Sequence, residues 1–296
     1  MELRVLHYFL AVAREQSISA AAKSLHLSQP TLSTQLRALE QELGKPLLVR
    51  GSKGSRKITL TEEGMLLRKR AEEILELVRK TENEITLSDD TIAGDVYIGA
   101  GETRIMRLIA RAACDLQKEC PDIHCHISSG NARYVMEQLD KGLIDFGLLY
   151  AAVDPLRYNS IPIPLQDEWG VLMRRDAPLA DHPFITPEDL IGQPLILSQQ
   201  EETSHIISRW MNCDPARLNV AATYNLIFNA SLLAEEGLGY TLSFDGLINT
   251  KDSPLWFRPL KPTLRAQACL VWKKYQIMPK AAEKFLHQLQ EYLDEM

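Results

Sequence analysis

The chain has 296 residues, 45% of them hydrophobic and 24% charged, with a formal net charge of −6, a balance that suits a globular protein of two or three compact units. No run of about 18 consecutive apolar residues occurs, which argues against a transmembrane helix, and an N-terminus with Glu2 and helical periodicity lacks a secretory pattern, so the chain is expected to remain cytoplasmic. The charge is divided: residues 1–60 hold nine Lys or Arg against four acids, a net +5 that leaves −11 for the remainder, as expected if only the head meets nucleic acid.

Leu3, Leu6, Leu10 and Ala13 recur at helical spacing and predict a first helix. Residues 19–25 read as a short second helix capped by Ser17 or Ser19, with Ala21 and Ala22 small enough for close approach of a neighbour. After a tight turn at 26–28, Ser28 stands where an N-cap belongs and Pro30 falls in the first turn of a third helix. Leu32, Leu36, Leu39 and Leu43 form its apolar stripe, and Gly44 ends it. Two helices joined so briefly form a helix-turn-helix. The face opposite the stripe carries Gln29, Thr31, Ser33, Thr34 and Arg37, with no acid before Glu40. Such side chains suit a DNA major groove, Gln29 at a base edge and Ser28, Ser33 and Arg37 at phosphates or a neighbouring base. The plain alternative is a solvated Ser/Thr-rich face, and the helix preceding it weighs against that.

Residues 47–49 and 57–60 are strand-like and enclose a Gly/Ser-containing loop with Arg50, Lys53, Arg56 and Lys57 in or beside it. This predicts a wing touching phosphate or the minor groove; the alternative is a solvated loop. Thr61, Glu62 and Glu63 then open a long helix with a cap and acids at its positive end. Leu67, Ala71, Ile74, Val78, Thr81 and Ile85 alternate by four and three along it, a narrow seam of the coiled-coil kind that pairing with a second copy would cover. Dimerisation supplies two heads and hence a two-fold-related DNA site.

The run Ala21-Ala22, Leu25, 28–33 (SQPTLS), Gln35-Leu36, Leu39-Glu40, Leu43-Gly44, Leu47-Leu48, Arg50, Leu60-Thr61 and Gly64 resembles the LysR-type transcriptional regulators over roughly the first 65 residues. The resemblance implies an α+β multidomain fold with a winged helix-turn-helix at 1–60 and a dimerising linker helix at 61–88. It implies next, at 92–296, a two-lobed α/β effector domain resembling type 2 periplasmic binding proteins. Lobe I would be about 92–162 plus 266–296 and lobe II about 163–265. A tetramer formed through the bodies is implied by the same resemblance. Two departures stand out: Leu48 occupies a position where the family usually has Phe, read as a core swap, and the loop 50–57 is a few residues longer than usual.

Residues 88–91 read as a polar hinge, after which the rhythm becomes strand, helix, strand, helix, predicting a parallel α/β lobe. Strands are expected at 95–99, 123–128, 144–150, 161–165, 169–173, 195–198, 220–224 and 266–272. Helices are expected at 103–120, 132–141, 187–190, 204–211, 226–236 and 279–293. In open α/β sheets ligands bind beyond the carboxyl ends of strands and against helix N-termini. The candidate effector contacts are therefore Gly101, Glu102 and Thr103 at one edge and Ser128, Ser129, Gly130 and Asn131 at the next. Ser198, Gln199 and Asn225 would stand across the cleft. Amides at Thr103 and at 128–131 would favour an anionic ligand; the alternative for each residue is ordinary helix capping.

Five scattered cysteines without a Cys-x-x-Cys pair argue against a disulfide framework, and Cys213 has no sequence-local partner for a redox pair. His124, Cys125 and His126 read as a half-buried strand rather than a metal site. Neither a nucleophile elbow, a phosphate-binding loop nor a His-Glu-x-x-His motif is present, so an enzyme is disfavoured. A transport solute-binding protein could share the two-lobed body but would need export and no basic head. The reading is thus a sequence-specific DNA-binding regulator modulated by a small, anionic effector, without metal, cofactor or membrane. Its partners are promoter DNA, the effector and its own copies, with RNA polymerase as a further candidate.

Overall fold

Three short helices with complementary apolar faces build the head. The computed structural model describes residues 1–50, 57–86, 93–150 and 152–296, and the chain divides into two units, Met1–Ser88 and Asp89–Met296. In the first, α1 (Leu3–Glu15), α2 (Ile18–Ser24) and α3 (Gln29–Leu43) precede a hairpin of β1 (Leu48–Arg50) and β2 (Ile58–Leu60), then α4 (Glu62–Thr86). Ser17, not Ser19, caps α2 by accepting from the Ala20 N–H at 3.3 Å, and Ser28 caps α3 by accepting from the Thr31 N–H at 3.2 Å. Val5, Phe9 and Val12 of α1 meet Ala21, Ala22, Leu32, Leu36 and Leu39 in one core, and Leu6 is buried as well. Of the expected stripes, Leu3 is 45% exposed and Leu43 41% exposed. Leu43 lies where the chain turns away at Gly44, whose positive φ of 66° ends the helix. Leu48 is buried in the same core, so leucine fills the space there.

Glu40 ties α3 to the hairpin: its Oε1 accepts from the Leu47 and Leu48 amides at 2.9 and 3.1 Å. Thr61 caps α4 by accepting from the Gly64 N–H at 2.9 Å, and a Cβ at Gly64 would lie 2.1 Å from the Leu47 carbonyl oxygen. The predicted α4 seam needs a correction. Leu67 packs against the head's own core and Ala71 is fully buried within the chain. Ile74 and Val78 are half-buried, while Thr81 and Ile85 are exposed, Ile85 by 77%. The expected hinge at 88–91 lies outside the described residues.

The second unit is a mixed sheet between helices. Its elements are β3 (Gly94–Ala100), α5 (Met106–Glu119), β4 (Ile123–Ser129), α6 (Ala132–Lys141), β5 (Phe146–Leu149), β6 (Tyr158–Arg174), α7 (Pro187–Leu190) and β7 (Leu195–Ser198). There follow α8 (Glu201–Trp210), β8 (Val220–Tyr224), α9 (Ile227–Glu235), β9 (Tyr240–Phe244), β10 (Leu255–Pro259), β11 (Arg265–Lys273) and α10 (Lys280–Asp294). The strand order is β4-β3-β5-β11-β6-β9-β7-β8, with β10 also on β6. Two parallel groups, β4-β3-β5 and β9-β7-β8, are joined by β11 and β6, which run antiparallel to their neighbours. The two strands expected at 161–165 and 169–173 are one 17-residue strand, β6. Its first part pairs with β11 and its last part with β9 and β10, so it belongs to both halves. One core gathers Ile98, Ile109, Leu116, Phe146 and Phe285; another gathers Trp169, Val171, Leu195, Ile207 and Leu242. This is the two-lobed α/β architecture expected. On β4, His124 and His126 are exposed and Cys125 packs against the first core, as a half-buried strand requires.

Replacing Glu40 with Ala removes the acceptor of two amides at the hairpin's base. Losing it should cost the head about 1–3 kcal/mol and speed hydrogen exchange at the Leu47 and Leu48 amides. Unchanged exchange at both would show that the carboxylate does not hold them.

Candidate DNA-contacting helix and effector cleft

On α3 the residues opposite the core are the ones proposed to meet DNA. Gln29, Pro30, Thr31, Thr34 and Arg37 are exposed and Ser33 is half-buried. Three of the hydroxyls have local work: Ser28 Oγ also meets Thr31 Oγ1 at 2.7 Å, and Thr34 Oγ1 donates to the Pro30 carbonyl at 2.9 Å. The Gln29 amide and the Arg37 guanidinium have no such partner among the described residues. Lys57 is exposed at the foot of β2; Lys53, Arg56 and the Arg50 side chain lie outside the described residues.

In the second unit a cleft of about 480 Å³ opens between the two cores. Strand β3 ends there with Gly101 and Glu102, β4 with Gly130, β7 with Ser198 and β8 with Tyr224 and Asn225; Arg265 and Gln267 of β11 cross its floor. Five predicted contacts therefore line it: Gly101, Glu102, Gly130, Ser198 and Asn225. Thr103, Ser128, Ser129, Asn131 and Gln199 do not. Thr103 is only 7% exposed, its hydroxyl held against Asp167 Oδ2 at 2.5 Å and by the Tyr150 hydroxyl at 2.6 Å. The helix expected from it starts three residues later, at Met106. Asn131 caps α6 by accepting from the Tyr134 N–H at 2.9 Å. Ser128 and Ser129 pair along the ladder with Gly99 and Ala100, and Gln200 lines the cleft in place of Gln199.

Of the amides expected at 128–131, that of Gly130 is not open to an anion. The Gly130 N–H donates to the Ala100 carbonyl at 3.0 Å, and a side chain at Gly130 would collide with the Tyr134 ring. At a third helix end, α9, the Ile227 N–H donates to Glu102 Oε2, so an internal carboxylate reaches across the cleft to the positive end of that helix. A second cross-cleft tie joins Arg104 Nη1 to Asp245 Oδ2 at 2.9 Å.

Sequence reasoning missed the aromatic wall and the cation. Phe244 packs on Tyr150 at 4.9 Å and on Trp169 at 4.6 Å between ring centroids, and Trp210, Ile206 and Leu264 add apolar surface. Burial, reinforced by the bond to Asp167, pushes the Tyr150 hydroxyl far above its ordinary value, so it remains a neutral donor. Burial and the nearby Glu102 charge do the same for Tyr224, whose hydroxyl donates to the Leu242 carbonyl at 2.8 Å. Arg265 is paired with Glu168 at 2.8 Å, whereas Arg209 lines the cleft with no ion-pair partner among the described residues. The cleft can thus hold an apolar or aromatic body and offers one uncommitted guanidinium to an anionic group.

Comparison with known proteins matches two family models in tandem, the bacterial regulatory helix-turn-helix protein of the lysR family over residues 3–65 and the LysR substrate binding domain over 89–294. The hydrogen peroxide-inducible genes activator of Pectobacterium carotovorum subsp. carotovorum is 31% identical over 67% of this chain. That match spans 64% of the activator, less than two thirds of its length. The Hca operon transcriptional activator HcaR of Escherichia coli (strain K12) is 29% identical over 99% of this chain and 98% of that protein. Among solved structures, CbnR, a LysR family transcriptional regulator, shares the fold with a TM-score of 0.78 at 20% identity, covering 99% of both chains. With both family models matched in order and the second alone spanning most of the chain, the protein belongs to the LysR family of bacterial helix-turn-helix regulators.

Proposed function

We propose that this chain is a sequence-specific DNA-binding transcriptional regulator, acting in the cytoplasm, whose DNA binding or bending answers to a small anionic molecule held in the cleft. The observation that carries the reading is the division of α3: Leu32, Leu36 and Leu39 are committed to the head's core, while Gln29, Thr31 and Arg37 face outward. A second helix of a helix-turn-helix with that polarity fits a major groove. Residues 1–60 serve as the head, with Lys57 and the loop before it as a wing, 61–88 as the linker and 92–296 as the body, its lobes dividing near 162 and 265. Ile74, Val78, Thr81 and Ile85 extend the α4 seam past the head, where a second copy of the helix would cover them. A homodimer then presents two heads to a two-fold-related promoter site, and tetramers and RNA polymerase follow as further partners.

The effector class follows from the cleft: an aromatic or apolar body against Trp169, Phe244 and Trp210, and a carboxylate toward Arg209. The peroxide-inducible activators among the relatives raise a thiol-based alternative, which the cysteines do not favour. Of the five free thiols only Cys114 is exposed, and burial pushes Cys125 and Cys269 up, away from reactive thiolate.

Binding-site selection with Gln29→Ala should show preference relaxed by ~1–3 kcal/mol at one base pair of each half-site; identical preferences in variant and wild type would remove Gln29 from base readout. In the cleft the two charges should act with opposite signs. For a carboxylate identified by thermal-shift screening, Glu102→Gln should tighten binding and Arg209→Gln weaken it, each by ~0.5–2 kcal/mol in calorimetry. Equal affinities in wild type and Arg209→Gln would place the anionic group elsewhere.

A further inference from the structure

A second cavity of about 450 Å³ shares no lining residue with the cleft, yet both are lined by the crossover strand β6. One wall is a row of guanidiniums from Arg104, which precedes α5, and from Arg107 and Arg111, four residues apart on one face of its first turns. Arg104 is occupied by Asp245. Arg107 and Arg111 are exposed, and neither meets a carboxylate, a carbonyl or a ring among the described residues. Like charges four residues apart on a helix repel, and an anion between them converts that repulsion into two charge-assisted hydrogen bonds. The rest of the wall is not a bare phosphate cradle. Leu108 and Leu165 stand beside the arginines, Leu165 as a large apolar side chain left 36% exposed. The acidic side chains lining the cavity are otherwise engaged, Asp167 by Thr103 and Tyr150, Glu168 by Arg265, and Asp245 by Arg104, and Met296 lines it as well.

We propose that this cavity is a second ligand site, taking an organic carboxylate with a short apolar chain, its carboxylate bridging Arg107 and Arg111 and its chain lying on Leu108 and Leu165. The site stands independently of the cleft assignment. Two contacts link it to the cleft: Tyr150, which lines the cleft, donates to Asp167, which lines the second cavity, and Asp245 directly follows the cleft residue Phe244.

The test uses full-length protein and 6,6,6-trifluorohexanoate followed by fluorine NMR, with folding checked by circular dichroism. Wild type should show two saturable sites per chain. Arg107→Gln/Arg111→Gln should weaken one at least tenfold while the other persists, and Arg209→Gln should spare the site that the double variant loses. Leu165→Ser should weaken trifluorohexanoate several-fold while leaving acetate unchanged. If Arg209→Gln alone abolishes all binding, if the double variant binds as wild type, or if no saturable binding occurs, the second site does not exist. Displacement by inorganic phosphate as efficient as by hexanoate would also overturn the carboxylate assignment. Retention of the Arg107/Arg111 site in wild type and Arg209→Gln alike, with no second site in either, would support this proposal while removing the cleft reading.

Discussion

A buried carboxyl on a strand shared by both lobes is the constraint on which the body depends. Asp167 is 5% exposed and sits near the middle of β6, the strand that enters both halves. A carboxyl taken out of water must be hydrogen-bonded or it costs several kcal/mol, and here Thr103 and Tyr150 bring their hydroxyls to it. Thr103 stands just beyond the end of β3 and Tyr150 just beyond the end of β5, so one residue fixes the ends of two strands against the crossover. This is why Thr103, though close to the cleft in sequence, is withdrawn from it. Tyr150 keeps its ring in the cleft against Phe244 while its hydroxyl faces the network.

Around that fixed point the cleft is tied by weaker, polar contacts. Glu102 reaches the first amide of α9 and Arg104 reaches Asp245, the latter pair about half exposed. Exposed ion pairs contribute little, ~0–1 kcal/mol, so Arg104–Asp245 can be exchanged without a large penalty. A ligand shifts such an arrangement only by the difference in its affinity for the alternatives. Because Glu102 lies on one wall and Arg209 on the other, a carboxylate in the cleft meets charges of opposite sign on the two lobes. That asymmetry supplies differential affinity, since moving the walls changes attraction and repulsion unequally.

How much of this was legible in the sequence depended on the range of the interactions. The helix-turn-helix was legible because its signals are local: a serine cap, a proline in the first turn, leucines at helical spacing and a glycine stop. Even there, the stripe read for α1 (Leu3, Leu6, Leu10 and Ala13) included exposed Leu3 and left out Val5 and Phe9 of the core. Leu67 and Ala71 fitted a heptad seam, but the folded head reaches them first, and periodicity cannot say which partner covers a stripe. β6 was read as two strands, 161–165 and 169–173, with the polar Gln166-Asp167-Glu168 between them. Its polarity is resolved by pairing with β11, a hundred residues away. β9 and β10 were missed: β9 hides a Thr and a Ser among buried positions, and β10 follows a polar stretch. In the cleft, strand-end rules found the small residues Gly101, Gly130, Ser198 and Asn225. The rules did not find Trp169, Phe244 or Arg209, which arrive on a strand's middle, an unpredicted strand and a helix face. Strand-end amides at Thr103 and 128–131 were also expected to be free, whereas the Gly130 amide is satisfied by the Ala100 carbonyl.

The measurement that bears most directly on this account is reciprocal linkage in the full-length protein. A cleft-binding carboxylate is titrated with and without saturating target DNA, and the DNA is titrated with and without saturating carboxylate. If the cleft and the head are coupled through the arrangement of the lobes, both affinities change by the same factor, corresponding to ~1–3 kcal/mol. A carboxylate that binds the cleft with the same affinity whether or not DNA is present would contradict the account, however tightly it binds.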